Sequence, residues 1–327
     1  MRIPIVVQSV CYSTFFISVS ANVMLLYILS KTNTLGAYKK LMIWFAISSI
    51  CYSVSDFLYQ PVTIAGKYGF IFFSSNSLLS ESVGNHLGAF FCANYGNALM
   101  LIAVHYIYRY FSVTKNNLIF LFGGVFCISW ILPILTLSVI WYLMVFNFCK
   151  RNSFTDAYLR NDISYLYDTE PENVPYIAAL YFNEHDGQKF VKLGSCCLLI
   201  YMVSIQLVAL LITSYCGIAT YRALKSLTTS DHVKRIQKTL FKMLVIQTAS
   251  PLLFLYTSVF MCTIPPFFGW DIGRYSILIS RALAVYPATE PIIILYFLAD
   301  YRRTIKKQQT NEQNQARQSV RGGEYVL

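Results

Sequence analysis

The chain is short of charge. Of its 327 residues, 13% are Asp, Glu, Lys or Arg, about half the share of a typical soluble domain. That excludes a charged, water-facing surface over most of the molecule. Metal-ligand spacing is missing as well. Nine cysteines are present, but no C-x-x-C pair is matched by a second pair or by histidines, so no zinc site is expected. Four histidines, His86, His105, His185 and His232, are scattered over different segments, and no nucleophile stands with a matched base. The chain therefore reads as neither an enzyme nor a metalloprotein, and no cofactor is expected. It has no N-x-S/T sequon, hence no glycosylation mark on its loops. It has no internal repeat or inverted half, which argues against a transporter.

What is there is apolar. Hydrophobic residues make up 56% and aromatics 16%, gathered in long runs at 4–29, 41–64, 86–111, 118–145, 194–220, 241–264 and 276–298. A helix of about 20 apolar residues crosses a bilayer core of about 30 Å, and a single span has no lipid-facing alternative to a helix. The alternating ten-residue strands of a barrel are absent. The expected fold is an all-α membrane protein, a seven-transmembrane helix bundle over residues 1–303. Residues 304–327 are polar and Gln-rich and read as a flexible cytoplasmic tail. The first run ends at Leu29, too long for a signal-peptide core, and reads as an uncleaved signal-anchor helix. Prolines 61, 133, 251, 287 and 291 fall inside the expected spans, where each kinks a helix and frees a carbonyl.

The net charge is +11. On a soluble protein that would point to nucleic acid, but its placement points to membrane lipids. Lys31, Lys39 and Lys40 stand in one connection, Lys115 in the next on that side. Arg222, Lys225, Lys234, Arg235, Lys238 and Lys242 stand in the third, and Arg302, Arg303, Lys306 and Lys307 follow the last span. The alternate connections are balanced or, at 146–193, net acidic. Positive charge beside membrane ends marks the cytoplasm, so the N-terminus is expected outside and the C-terminus inside. The basic segments also suit anionic inner-leaflet lipids. Connection 146–193 is long for a structureless loop; "YIAALYF" at 176–182 suits a hairpin, or the segment partly caps the bundle. Cys149, Cys196 and Cys197 lie near the outer side, where a disulfide from Cys149 to Cys196 or Cys197 would tie that segment down.

Ionisable residues inside spans are expensive and informative. Asp56 lies about 24 Å from Lys40 along its helix, and Arg281 about 31 Å from Arg302. Both therefore sit in the outer part of the core. Either they pair and line an outward cavity, or Arg281 reaches the interface and Asp56 stays protonated among tyrosines. Glu290 lies about 18 Å from the cytoplasmic end, between Pro287 and Pro291. It reads as a switch or ion-binding point, or as a protonated acid bonded to a freed carbonyl. Arg109 ends the third span at the cytoplasmic interface, where an arginine needs no buried partner. His105 and Arg109 are four residues apart and share a helix face, with His105 read as a hydrogen-bonded packing residue.

Several motifs follow one another along the chain: "GAYKKLMIWFA" (36–46), "YSVSD" (52–56), "AVHYIYRY" (103–110), "KTLFKMLVIQTASPLLFLY" (238–256), "YPATEPI" (286–292) and "YRRTI" (301–305). In that order, over residues 22–303, the chain resembles the nematode serpentine chemoreceptors of the Str type, seven-transmembrane G-protein-coupled receptors. The family commonly has Asp where this chain has Glu290, so the position stays acidic on a longer arm. The resemblance implies an olfactory-type sensory receptor in the plasma membrane, at the cilia of chemosensory neurons. Its implied partners are a small-molecule chemical ligand outside and a heterotrimeric G protein inside. A ligand must bind between helices that move. Asp56, His86, Asn94, Tyr95 and Arg281 in the outer half are the candidates, with His86 also readable as an interfacial residue at a helix start. For coupling and activation the candidates are His105, Tyr108, Arg109, Tyr110 and Glu290. No acid precedes Arg109 and none stands at the base of the sixth span, so a resting salt-bridge lock is not expected. The competing classes are a seven-helix ligand-gated channel and a small-solute transporter.

Overall fold

Seven helical spans take up the apolar runs in the computed structural model, which describes residues 5–32, 36–185, 188–226, 228 and 231–298. The expected tail, residues 304–327, lies outside them. The spans are α1 (Ile5–Ser30), α2 (Ala37–Tyr59), α3 (Glu81–Thr114) and α4 (Ile128–Phe148), then, after a short helix α5 (Ser153–Tyr167), α6 (Leu193–Lys225). The sixth span is composite: α7 (Asp231–Pro251), a π-helical turn (Leu252–Tyr256) and α8 (Thr257–Thr263). The seventh is α9 (Ile277–Leu298). Pro251 lacks the N–H that an α-helix would use, and the wider turn after it absorbs the defect. Large apolar side chains such as Phe16, Tyr27, Leu211, Phe260 and Tyr296 point outward, which suits lipid and not water.

The second span is shorter than its apolar run. Its helix stops at Tyr59, where the run continues to residue 64. Gln60 takes a left-handed conformation (φ 49°) and its N–H closes the helix on Asp56 O at 2.7 Å. Pro61 then cannot continue it. Pro61 is therefore a terminator and not an intramembrane kink.

Beyond Pro61 the chain builds a feature that the apolar runs concealed. Strands β1 (Pro61–Gly66) and β2 (Gly69–Ser74) form a two-residue hairpin. Strand β3 (Tyr176–Leu180), from the long connection, adds to β2 antiparallel. A second hairpin, β4 (Phe182–His185) with β5 (Gln188–Val191), leads into α6. The period of two sorts the three-stranded sheet into two buried faces. Phe70, Phe72, Ile177 and Ala179 join the core of the bundle. Ile64, Ile71, Phe73 and Ala178 join Leu159, Ile163 and Tyr167 of α5. The sheet is thus a layer between the helix ends and α5. Helix α5 is started by a capping box in which Asn152 and Thr155 exchange hydrogen bonds at 2.8 and 2.9 Å. Much of the acidity of this connection is matched locally. Arg151 pairs with Asp156 at 3.0 Å and Glu81 at 3.8 Å, and Arg160 pairs with Glu170 and Glu172.

Helix α3 runs through the centre. Between lipid-embedded helices, close packing of small residues is the main attraction, and α3 supplies it. A Cβ on Gly96 would lie 2.5 Å from Trp141 Cε3 of α4, and one on Gly88 would lie 2.9 Å from Tyr59 Cζ of α2.

Candidate functional site

Under the sheet, between α3, α4, α6, α8 and α9, lies a small apolar cavity. Phe70, Phe72, Ile177 and Ala179 of the sheet roof it; Tyr95, Trp141, Met202 and Leu283 stand among its walls. Among the described residues, no charged one lines it. Three thiols, Cys92, Cys149 and Cys262, do.

Of the five ligand candidates from the sequence, Tyr95 alone lines this cavity. The other four are placed elsewhere. His86 is exposed, with its ring 4.6 Å from that of Phe146 and hydrogen-bonded to the Tyr142 hydroxyl. Asn94 lines a separate groove with Trp44 and Trp130 and donates to Phe90 O at 3.1 Å and Ser55 Oγ at 3.4 Å. Asp56 and Arg281 are buried and within coulombic range of each other, with Cys11 beside both. The Cys11 thiol reaches Asp56 Oδ2 at 3.9 Å, and Arg281 Nη2 donates to the carbonyl of Pro61. This charged group holds the turn between α2 and β1 and does not line the cavity.

The disulfide considered for Cys149 is not formed: all nine cysteines are free. Cys149 is buried at the cavity wall while Cys197 is exposed on α6. The long connection is tied instead through its backbone, with Ala178 N donating to Cys149 O at 3.0 Å.

At the opposite end of the bundle, Arg109 is not an exposed anchor. It is 2% exposed. Its guanidinium carbon lies 4.0 Å from the Tyr38 ring centre and 5.7 Å from that of Tyr108, and those two rings stack at 5.2 Å. His105 is equally buried, against Tyr38 and Phe45 at 5.8 and 5.0 Å. Among the described residues, neither ring nitrogen of His105 has a hydrogen-bond partner, so it packs without the expected bond. Tyr110 reaches the Tyr215 ring of α6 at 6.3 Å. Tyr106 links α3 to α7 through Thr248 Oγ1 at 2.9 Å.

Glu290 is fully buried in α9, with the side chain of Gln247 of α7 as its polar neighbour. The carbonyl freed at Pro287 accepts from Ser18 Oγ at 2.8 Å, and Ser18 meets Ser53 at 2.6 Å. The freed backbone group thus goes to α1 and not to the acid.

Tyr38 and the cavity walls Trp141, Phe70 and Phe72 escaped sequence reasoning. "GAYKK" contains Tyr38, but nothing in it announces an arginine partner. The strands did leave a signal: "GKYG" between two β-rich runs is a hairpin pattern.

Residues 7–306 match the family model described as the serpentine type 7TM GPCR chemoreceptor Str. The chain is 30% identical over 291 residues to Serpentine receptor class r-10 of Caenorhabditis elegans, covering 87% of this chain and 85% of that protein. It is 25% identical over 304 residues to the C. elegans G-protein coupled receptor str-33, covering 90% and 88%. In fold it is similar to the crystal structure of squid rhodopsin, with a TM-score of 0.63 at 13% identity, covering 94% of this chain and 86% of that one.

Proposed function

This chain belongs to the family of serpentine seven-transmembrane G-protein-coupled chemoreceptors of the Str type, and from that premise we propose that it binds a small chemical in the cavity beneath the sheet and activates a heterotrimeric G protein at the Arg109 end. It is a multi-pass membrane receptor and not an enzyme. The observation that carries the proposal is a separation on one helix. Tyr95 in the cavity and Arg109 in the aromatic clamp both belong to α3, 14 residues and so about 21 Å apart. A ligand that repacks α3 against its neighbours at one end can change what surrounds Arg109 at the other.

In this reading the sheet faces the outside and the Arg109 end faces the cytoplasm. The lysine distribution supports that orientation, as does the open basic groove of Lys234, Arg235, Lys238 and Lys242 on α7. That groove lies where a G protein and anionic lipid headgroups would be met. The plasma membrane of sensory neurons, at their cilia, is the proposed location. Tyr108 and Tyr110 hold the flanks of the coupling end, and Glu290 lies where α9 meets α1 and α7.

The test is expression with a G-protein reporter and a panel of small volatile and soluble compounds. At least one compound should raise the reporter, and Arg109→Ala should abolish that response at unchanged surface level. A well-displayed receptor that signals equally without Arg109 would overturn the proposal.

A further inference from the structure

We propose that the cavity beneath the sheet takes an uncharged, apolar ring compound that makes no hydrogen bond to the protein; this rests on the reading of the cavity as the ligand site. The cavity wall presents almost no oxygen or nitrogen. Three lining side chains carry such an atom, Tyr95, Trp141 and Ser258, and each is withdrawn from the cavity. The Ser258 hydroxyl is spent on Phe254 O at 2.5 Å. The Tyr95 hydroxyl and Trp141 Nε1 are buried below the surface, so the two side chains offer the cavity their ring carbons.

The backbone of the roof is spent as well. Strand β2 is paired along both edges, with β1 on one side and β3 on the other. The outer edge of β3 gives its Ala178 N–H to Cys149 O at 3.0 Å, and the Tyr181 N–H that follows goes to Tyr68 O at 2.7 Å. The charges of the outer half lie elsewhere: Arg281 donates to the carbonyl of Pro61, and Asp56 meets the Cys11 thiol at 3.9 Å, both outside the cavity. A hydroxyl, carbonyl or ionic group on a ligand would give up its water here and receive nothing in exchange. An apolar cavity is dry before its ligand arrives, so a hydrocarbon loses nothing on entry.

The shape of the wall favours a flat, unsaturated ligand. Phe70 and Phe72 meet edge to face at 5.6 Å, Phe72 and Phe91 at 6.0 Å, and Tyr95 and Trp141 at 5.7 Å. All five rings line the cavity, and a further ring among them would continue the same edge-to-face packing. Cys92, Met202 and Cys262 add sulfur-bearing side chains to the lining, which pack well against aromatic edges. Selection therefore rests on ring shape and on the penalty for any polar group.

The experiment uses the purified full-length receptor in lipid nanodiscs and two isosteric pairs of probes, toluene with phenol and benzene with pyridine, compared at matched concentrations in the bilayer. Ligand stabilisation is read from thermal unfolding over a concentration series. Toluene should bind roughly tenfold more tightly than phenol, and benzene more tightly than pyridine. Cys262→Phe and Val259→Phe each fill the cavity from α8 and should lose the toluene shift; two variants guard against one that does not fold. The proposal is overturned by phenol or pyridine binding as tightly as its isostere, by no toluene shift in the wild type, or by a toluene shift that survives in the filled variants. Failure of the receptor reading looks different: the toluene preference and its loss in the filled variants would stand, but no ligand would raise the G-protein reporter. Conversely, a reporter response confined to hydroxyl or carbonyl compounds and lost in Cys262→Phe would overturn the ligand class and leave the receptor reading in place.

Discussion

The guanidinium of Arg109 on α3 rests 4.0 Å from the ring centre of Tyr38 on α2, in a site where Nε and Nη2 meet no hydrogen-bond acceptor. Arginine at a helix end would ordinarily reach water or lipid headgroups. Here two stacked tyrosines hold it inside. No acid stands next to it in the chain, so the clamp is a cation–π contact, worth about 2 kcal/mol when desolvated. A partner that supplies carbonyl acceptors can compete for a group whose own donors are unspent.

The clamp should therefore bias the resting state. Tyr38→Leu removes the ring face and should raise ligand-independent reporter activity, by up to about thirtyfold if the contact is lost only on activation. Tyr38→Phe keeps the face and should behave as wild type. Basal signalling at matched surface level decides it; equal effects of Leu and Phe would show that the ring face is not what holds Arg109.

Helix α7 is tied to α3 by the Tyr106 hydroxyl and Thr248 Oγ1 at 2.9 Å. A neutral hydrogen bond contributes about 1 kcal/mol net. Tyr106→Phe removes it without changing shape, and should either lower the midpoint of thermal unfolding or raise basal activity by roughly fivefold. A variant indistinguishable from wild type in both would mean that the bond does not restrain the sixth span.

The bundle was legible in the sequence because membrane spans are long and their signal is additive over about 20 residues. The sheet was not. Strand β1 continues the apolar run of α2 with only Gln60 between them, and Pro61 reads equally as kink or stop until Gln60 is seen to cap the helix. Depth arithmetic brought Asp56 and Arg281 to one level, and the structure has them in coulombic range. It could not tell which side of that level opens to the cavity. Tyr95 was legible as an aromatic in the outer half of the central span. Trp141 and the roof residues Phe70 and Phe72 depend on pairing between distant segments, which a single sequence does not encode locally. Burial of Arg109 likewise depends on Tyr38, 71 positions earlier in the numbering.

Gly96 lets α3 approach the Trp141 ring. A methyl there would lie 2.5 Å from Cε3 and 2.7 Å from Cζ3, and overpacking of this kind costs about 1–3 kcal/mol. Gly96→Ala should shift Trp141 and weaken ligand potency by roughly tenfold or more, read as a concentration–response curve with surface immunostaining as control. Unchanged potency would place the ligand away from Trp141.

The contact of α5 with the sheet should fail in alkali. Tyr167 packs edge-on against Phe73 at 5.1 Å, and burial pushes its hydroxyl up to about 12 from an ordinary 10. The folded state holds this proton longer than the unfolded one. The stabilisation is full below pH 10 and is lost as the pH rises from 10 towards 12. Limited proteolysis of segment 153–167 should accelerate across that window, and Tyr167→Phe should reduce the increase. Identical alkaline profiles would show that Tyr167 does not govern the docking.

The cavity under the sheet is the proposed site of the activating chemical. Cys262→Phe fills that cavity from α8 without touching the Arg109 end. Reporter concentration–response curves for an agonist of the wild-type receptor, at equal surface display, measure the consequence. The account predicts a loss of potency of at least about tenfold with basal signalling retained; a Cys262→Phe receptor that answers the same agonist at wild-type concentrations would contradict it.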